Sequence, residues 1–395
     1  MEILPKKFGT RPQLAVEIRS GGVIAARAGG SSSEEGILGA IARAELGPDA
    51  IEPGLKPGNL KARTALLAAV RKTLDAVYEK GTGRAVTLVV PDAVVRVLLL
   101  DFDTLPTKPA EAMPLVRFRL KKLLPFDADD AQVSYQKMPS SGSGIKVVAV
   151  AIPRAVLHEY EAVIREVGFD PGAVLPSTLA ALAGLDEQDG AAELVVNAGP
   201  QSVTTAIVEN GVLLLHRSVD LSGNVQVGIL AEAAEAPVAL PLVDREASQQ
   251  EWAMQEALPQ FGRSQGEDFI ADSRAITSEA RTAVQGHMLL EAAAAEVSLN
   301  GQQQEVVQAV SVAAAYYEDM LHRSPTVVLS AGSTGAETLG AMLHDAGFGV
   351  VSDTSAGADA VRVRELVTTE ALGPQATTTR VPASWLAGVR GALRS

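Results

Sequence analysis

Three short loops carry the residue types that could meet a phosphate. The first reads Glu17, Ile18, Arg19, Ser20, Gly21, Gly22, the second Asn197, Ala198, Gly199, Pro200, Gln201, Ser202, and the third Ala331, Gly332, Ser333, Thr334, Gly335. Glycine lets the backbone come close to an anion and adopt positive φ. Hydroxyls and an arginine fork supply donors for phosphate oxygens. The same spellings also make ordinary β-turns, and short glycine patterns are weak on their own. His158, His216, His287, His322 and His344 are scattered with no metal-ligand spacing. No Ser/His/Asp order and no paired-carboxylate constellation stands out, so no catalytic residue and no metal ligand is assigned.

Each loop needs a strand to hold it. Leu14–Ile18 and Val23–Ala28 are apolar, β-rich runs around a glycine turn, which is a hairpin signal. A similar opening recurs at Leu194–Ala198 and Ser202–Val208, and there an Asn210-Gly211 pair leads into a further strand, VLLLHRSV. This faint repetition is what a duplicated α/β core leaves behind. Thr326–Leu343 reads as a buried strand, a Gly/Ser loop and a helix. Residues 29–57 are expected to be irregular apart from a short helix near Ile37–Leu46. Leu60–Glu79 reads as a helix with Leu60, Leu67, Val70, Leu74 and Val77 on one side, and Arg84–Pro91 as a buried strand. Next come a strand at Val94–Phe102, a helix at Ala110–Leu124 and strands at Val133–Gln136 and Ile145–Ile152. That order, strand, helix, strand, strand, suggests an inserted α+β module. Residues 222–304 are rich in Ala, Glu and Gln and read as helices with Pro237, Pro241 and Pro259 as breakers. A helix at Glu305–His322 carries Val306, Val310, Ala313 and Tyr317, and Val381–Arg394 closes the chain as a helix with Ser384 as its N-cap.

Composition narrows the function classes. The chain has 395 residues, 47% of them hydrophobic, enough for more than one core. Its net charge of −13 and 4% aromatic content argue against nucleic acid and against a broad grip on anionic lipid. Cysteine is absent, which excludes disulfides and fits a cytoplasmic location. Runs such as VVRVLLL fall short of the ~20 residues that span a bilayer, and MEILPKKFGT lacks the apolar core of a signal peptide. Membrane association would therefore run through a protein partner, without direct insertion.

The stretch RFRLKKLLPFDADDAQVSYQ, Arg117–Gln136, is the most distinctive in the chain. Val116, Leu120, Leu123 and Leu124 form one apolar stripe, with Arg117, Arg119, Lys121 and Lys122 largely off it and Pro125 as a stop. The basic run is either a docking face for acidic partners or a solvated helix face. Charged helix, Leu-Pro-Phe, acidic turn and a strand ending in Tyr-Gln together resemble the PilM family, actin-like cytoplasmic components of type IV pilus assembly. YYEDMLHRSPTVVLSAGS and the closing SWLAGVRGALR are similar to the family's helix-plus-strand and terminal helix. The resemblance implies an α/β, actin-like (ribonuclease H-like) fold of two lobes with an inserted strand-helix-strand-strand α+β subdomain. Residues 1–93, with part of 169–190, would form the first lobe and 94–168 the module. The second lobe would be 191–395, including a mainly helical insertion at 222–304.

The resemblance also makes the three loops nucleotide loops, and they depart from the family pattern. Glu17 keeps the acid of the first loop, while Arg19 replaces a glycine and Ile24 a lysine. Asn197 replaces an aspartate that would help hold hydrated Mg²⁺, and Pro200 removes an N–H. Ala331 stands where the third loop's first glycine would be. The implied, degenerate nucleotide site is Glu17, Arg19, Ser20, Gly21, Gly22, Asn197, Gly199, Gln201, Ser202, Gly332, Ser333 and Gly335, with ATP and Mg²⁺ bound weakly or not at all and no turnover expected. The implied partner is the N-terminal cytoplasmic segment of a PilN-like membrane protein, gripped between module and first lobe by Phe118, Leu124, Pro125 and Phe126. Other pilus platform components and the assembly ATPases would be nearby. An actin-like ATPase or phosphotransferase, and the cytoplasmic domain of a type II secretion component, are the alternatives.

Overall fold

Leu14–Arg19 (β1) and Gly22–Ala28 (β2) form the expected hairpin, paired from Leu14–Arg27 to Arg19–Gly22, with Gly21 turning the chain at φ +90°. The computed structural model describes residues 12–29, 36–139, 144–185, 192–221, 300–350, 361–368, 371 and 381–394. Leu38–Glu45 (β3) pairs antiparallel with β2, and Ala85–Val90 (β4) and Asp170–Pro176 (β8) extend the sheet in parallel beyond β1, giving the order β3-β2-β1-β4-β8. The second sheet repeats this plan. Glu193–Ala198 (β9), Ser202–Glu209 (β10), Val212–Asp220 (β11), Val327–Ala331 (β12) and Arg362–Glu365 (β13) lie in the order β11-β10-β9-β12-β13, with β12 and β13 parallel to β9. Asn210 and Gly211 turn between β10 and β11 at φ 50° and 74°, as the Asn-Gly pair demands. Two sheets of equal order form the two lobes of an actin-like fold.

A third sheet, order β5-β7-β6, is made by Arg96–Phe102 (β5), Ala131–Lys137 (β6) and Ile145–Pro153 (β7). Alternation along β7 assigns its two faces. Val147, Ala149 and Ala151 point into a core with Ala112, Val116 and Leu120 of the helix Pro109–Leu120 (α2), while Val148 and Ile152 point into the core of the first lobe. The sheet therefore stands between α2 and the first lobe. Helix α2 ends at Leu120, short of the expected Leu124. Pro125 disfavours helical geometry before it, and Lys122 and Leu123 close tighter bonds to Arg119 and Leu120.

Helix Arg63–Val77 (α1) buries Leu66, Val70, Leu74 and Val77, with Leu66 rather than Leu67 heading the stripe. Helix Arg154–Glu166 (α3), drawn from the sequence into the module, instead buries Val156, Tyr160, Val163 and Ile164 in the first-lobe core. The expected helix near Ile37–Leu46 is strand β3. Its alanines and leucines favour helix by local propensity, but pairing to β2 with alternate residues buried overrides this. Strand β13 went unread, because RVRE is short and charged. The helical residues 300–321 (α5) bury Val306, Val310, Ala313 and Tyr317 against the outer face of the second sheet, beside Leu339 and Leu343 of Ala336–Asp345 (α6). The helical reading of 222–304 falls outside the described residues up to 299.

Two short helices, Ser177–Ala183 (α4) and Ala387–Leu393 (α7), are buried and touch each other. A Cβ on Gly391 would lie 1.8 Å from the Ala180 carbonyl oxygen, so only glycine permits this crossing. Arg390 and Arg394 both donate to the Gly184 carbonyl at the end of α4. Ser384 belongs to a one-turn 3₁₀ segment, Ala383–Trp385, and caps nothing through its side chain. Among the described residues no helix is long and apolar enough to cross a membrane.

Candidate functional site

The three glycine loops converge, as the resemblance implies, on a cleft between the two actin-like sheets. A cavity there is lined by Arg19, Ser20, Asn197, Gly199, Gln201, Ser202, Gly332 and Ser333, together with Pro53, Asp92 and Ser177. Gly21, Gly22 and Gly335 complete the loops without lining it.

The first loop is closed on itself. Glu17 is fully buried, and Arg19 Nη2 donates to its Oε2 at 2.8 Å while Nε stands 2.7 Å from Oε1. Ser177 Oγ donates to Oε1 at 2.7 Å. Arg19 lies 5.4 Å over the ring of Trp385, which Arg43 covers at 4.0 Å. The fork that could have received a phosphate holds a carboxylate of its own strand instead. Glycine is needed here for the protein's own approach. A Cβ on Gly22 would sit 2.8 Å from the Ala44 oxygen and 3.0 Å from Trp385, and one on Gly388 would fall 2.2 Å from Glu17 Oε2.

The second loop reaches across the cleft. Asn197 Nδ2 lies 3.1 Å from Asp92 Oδ2, 3.1 Å from Ser177 Oγ and 2.9 Å from Thr178 Oγ1. Asp92, 4% exposed, also accepts from the Thr178 N–H at 3.0 Å and from its hydroxyl. Gln201 completes a second crossing. Its Oε1 accepts from Ser20 Oγ at 2.5 Å and its Nε2 donates to the Ile51 carbonyl at 3.2 Å. Ser202 pairs with Asp220 in the sheet, and Gly199 N–H closes the turn on the Ser202 carbonyl.

The third loop is also satisfied internally. Gly332 adopts φ +106°, and a Cβ there would meet Asn197 Oδ1 at 2.4 Å and the Ala198 oxygen at 2.5 Å. Ser333 faces Gly199 across the cavity. Gly335, at φ +77°, precedes α6, whose first free N–H, from Ala336, is taken by Glu365 Oε1 at 2.7 Å. A helix N-terminus attracts anions, and this one already has one. Burial raises the Glu365 carboxyl above its ordinary range, partly offset by that N–H.

His216 of β11 completes the surroundings. Its Nε2 is sealed from solvent without a partner, and burial lowers its ionisation below the ordinary 6.5 despite the opposing charge of Asp92.

A Mg²⁺–nucleoside triphosphate does not fit this donor set. Glu17 is neutralised by Arg19, Asn197 and Gln201 are engaged by the opposite lobe, and the glycines admit their own backbone and side chains. The cavity measures about 50 Å³, against the ~300–1,000 Å³ of ligand pockets. Among the described residues no group of three His, Cys, Asp or Glu could hold a metal ion. The residues that sequence reasoning missed are Asp92, Ser177, Thr178, Glu365, Trp385 and Gly388. The one available signal was Asp92, two residues after the buried strand that ends at Val90.

The nominated partner residues separate. Leu124 and Phe126 are half-buried in the module core, while Phe118 is 65% exposed and Pro125 is exposed. Leu124 and Phe126 pack into the core that α2 shares with the module sheet, and not into the first-lobe core.

No family model matches the chain, and no curated protein matches it. Solved structures do. A PilM–PilN type IV pilus biogenesis complex superposes with TM-score 0.60 at 16% identity, covering 97% of this chain and 98% of that one. The cytoplasmic domain of EpsL, an inner-membrane component of the type II secretion system of Vibrio cholerae, gives 0.33 at 13% identity over 53% and 71%. The ethanolamine utilization protein EutJ from Carboxydothermus hydrogenoformans gives 0.39 at 10% identity over 97% and 89%. The first likeness establishes a shared fold along the whole length. The other two are too loose to carry more.

Proposed function

We propose that this chain is a PilM-like scaffold of the type IV pilus inner-membrane platform, working without nucleotide turnover. It would sit in the cytoplasm and be held at the membrane by the N-terminal cytoplasmic segment of a PilN-like protein, with further platform components and the assembly ATPases as neighbours. The observation that carries this reading is the self-satisfied cleft inside a fold shared along its whole length with a PilM–PilN complex. A phosphotransferase needs free donors and a carboxylate set where this chain has paired ones.

The lobe and module boundaries belong to the same reading, with the module ending near Pro153. The partner tail is placed at the junction between module and first lobe, where it would add main-chain hydrogen bonds and apolar anchors. On that placement Phe118, Leu124, Pro125 and Phe126 stand outside the tail site. Phe126→Ala should therefore lower the melting temperature while leaving tail affinity unchanged.

Two titrations test the reading. A synthetic N-terminal tail of a PilN-like protein should bind the full chain by fluorescence anisotropy, and failure of every such tail would defeat it. Calorimetry with Mg-ATP should give no micromolar binding, and EDTA-sensitive micromolar binding would support the rival reading, an actin-like ATPase in which Asp92 serves the metal. The combined change Asn197→Asp with Arg19→Gly should strengthen ATP binding over the natural chain.

A further inference from the structure

The described residues expose six large apolar side chains, and three of them, Leu115, Phe118 and Leu123, lie on α2 and the turn after it at 44%, 65% and 51% exposure. Glu111, Leu115, Phe118 and Lys122 follow one another at steps of four, three and four, so they share one outward ridge. Ala112, Val116 and Leu120 hold the opposite side of the helix against the module sheet. Isolated exposed apolar residues need no explanation, but neighbouring ones mark an interaction surface.

The ridge is flanked by positive charge. Residues 108–123 hold Lys108, Arg117, Arg119, Lys121 and Lys122 against Glu111 alone, and Glu111 is paired with Lys108. The acids that follow, Asp127, Asp129 and Asp130, lie beyond Pro125. Two of the basic residues turn toward that segment, where Lys121 pairs with Asp129 and Arg117 donates to the Ala128 carbonyl. The other two do not. Arg119 and Lys122 sit over the rings of Phe102 and Phe118, at 5.5 and 5.6 Å, with no carboxylate in ion-pair distance among the described residues. The other exposed stripe makes the contrast. Val312, Tyr316 and Met320 recur at four-residue steps on α5, where residues 300–321 carry Glu305, Glu318 and Asp319 and no basic residue.

We propose that α2 lies on an anionic membrane surface, with Leu115, Phe118 and Leu123 entering the headgroup boundary and Arg119 and Lys122 meeting lipid phosphates. An apolar ridge between cationic flanks suits that boundary, where aromatic rings and long basic side chains settle with their charge toward the headgroups. A bilayer accepts a convex ridge without a matching groove, and this favours it over an acidic protein as the occupant. The net charge of −13 opposes a broad grip on the same surface, so attraction is confined to this face and fixes which side of the chain is turned to the lipid. One such helix binds weakly by itself. The inference rests on the scaffold reading only for placing the chain beside a membrane, where a tethering tail raises the local concentration of lipid around α2.

Flotation of the full chain, without any tail, on phosphatidylglycerol–phosphatidylethanolamine vesicles tests this. The natural chain should float with these vesicles at low salt, stay behind with phosphatidylcholine vesicles, and be released as salt rises. Phe118→Glu should lower partitioning at least about tenfold, and Lys122→Glu about fivefold or more, both with unchanged circular dichroism. Tyr316→Glu, on the acidic α5 face, should leave partitioning as it was. Phe118→Trp reports depth, since brominated lipid should quench it beyond any quenching of the natural chain. The proposal is overturned if anionic vesicles do not carry the chain, if phosphatidylcholine vesicles carry it equally, if Phe118→Glu floats as well as the natural chain, or if Phe118→Trp floats unquenched. A chain that ignores vesicles but binds an acidic protein through Phe118 overturns it too and assigns the face to that protein. The vesicle test contains no tail and the tail titration no lipid, so the failure of one reading is distinct from the failure of the other.

Discussion

The two lobes share one strand order and solve the same loop in opposite ways. In the first lobe the β1–β2 loop turns inward, where Glu17 and Arg19 neutralise each other beneath Trp385. In the second lobe the β9–β10 loop turns outward, and Asn197 and Gln201 spend their amides on Asp92, Ser177, Thr178, Ser20 and Ile51 of the first. One loop is an ion pair within a strand and the other a set of amide bridges between lobes, one of them to the Asp92 carboxylate. A buried ion pair holds local geometry at high desolvation cost. The amide bridges place no second charged partner in the cleft. The ion pair is spent inside the first lobe, while the amides of the second loop join the two lobes beside an apolar core that both share.

Breaking the ion pair should give the largest effect. Glu17→Ala or Arg19→Ala strands a buried charge and should lower unfolding free energy by about 3–5 kcal/mol in denaturant titrations. Removing both with Glu17→Leu and Arg19→Met should cost far less than the two single changes added together, and additivity would show that the pair does not act as a unit.

Next is Gly332→Ala, where both positive φ and a collision with Asn197 oppose a side chain. About 2–3 kcal/mol is expected from overpacking and strain. Asn197→Ala should cost about 1–3 kcal/mol, since Asp92 loses a donor while staying buried. Hydrogen exchange sharpens the contrast. Asn197→Ala should deprotect the β9–β10 and Asp92–Thr178 segments and leave β1–β2 protected, whereas Glu17→Ala should deprotect β1–β2.

The smallest effect concerns acid. His216 has a folded ionisation below 6.5, so the unfolded chain binds the proton more readily. Its contribution is complete above 6.5 and is lost as pH falls toward the depressed folded value. His216→Leu should flatten this part of the stability-versus-pH curve. Glu365 works in the other direction. Its raised folded value makes its contribution complete below the ordinary carboxyl range and lost as pH rises through the folded value, so Glu365→Gln should relieve a slight penalty at neutral pH.

Much of the architecture was legible because it is local. Both hairpins announce themselves through β-rich runs around Gly21 and Asn210-Gly211, and the module through a periodic helix between alternating strands. Strand β3 was not, because LGAIARAE favours helix until β2 supplies a partner. The loops' convergence on the cleft was implied by the family resemblance alone, and their chemistry was not legible. Arg19 could be named as a departure, yet only the fold shows its fork turned back onto Glu17. The Asp92–Thr178–Asn197 cluster joins residues 86 and 105 positions apart, and no spacing rule reaches that far. Phe126 and Phe118 look alike in the chain, and only the placement of the sheet makes one core and the other surface.

Helix α7 has a consequence for how the chain is made. Arg19 reaches the Ser384 carbonyl across 365 positions, and Leu386, Val389 and Leu393 belong to the first-lobe core. At the ~5–20 residues per second of translation, roughly 20–70 seconds separate the synthesis of one partner from that of the other. Until α7 is made, the apolar surface of α4 that it covers has no partner from that helix. A chain cut before residue 386 would therefore lack Leu386, Val389 and Leu393, the residues that close over that surface.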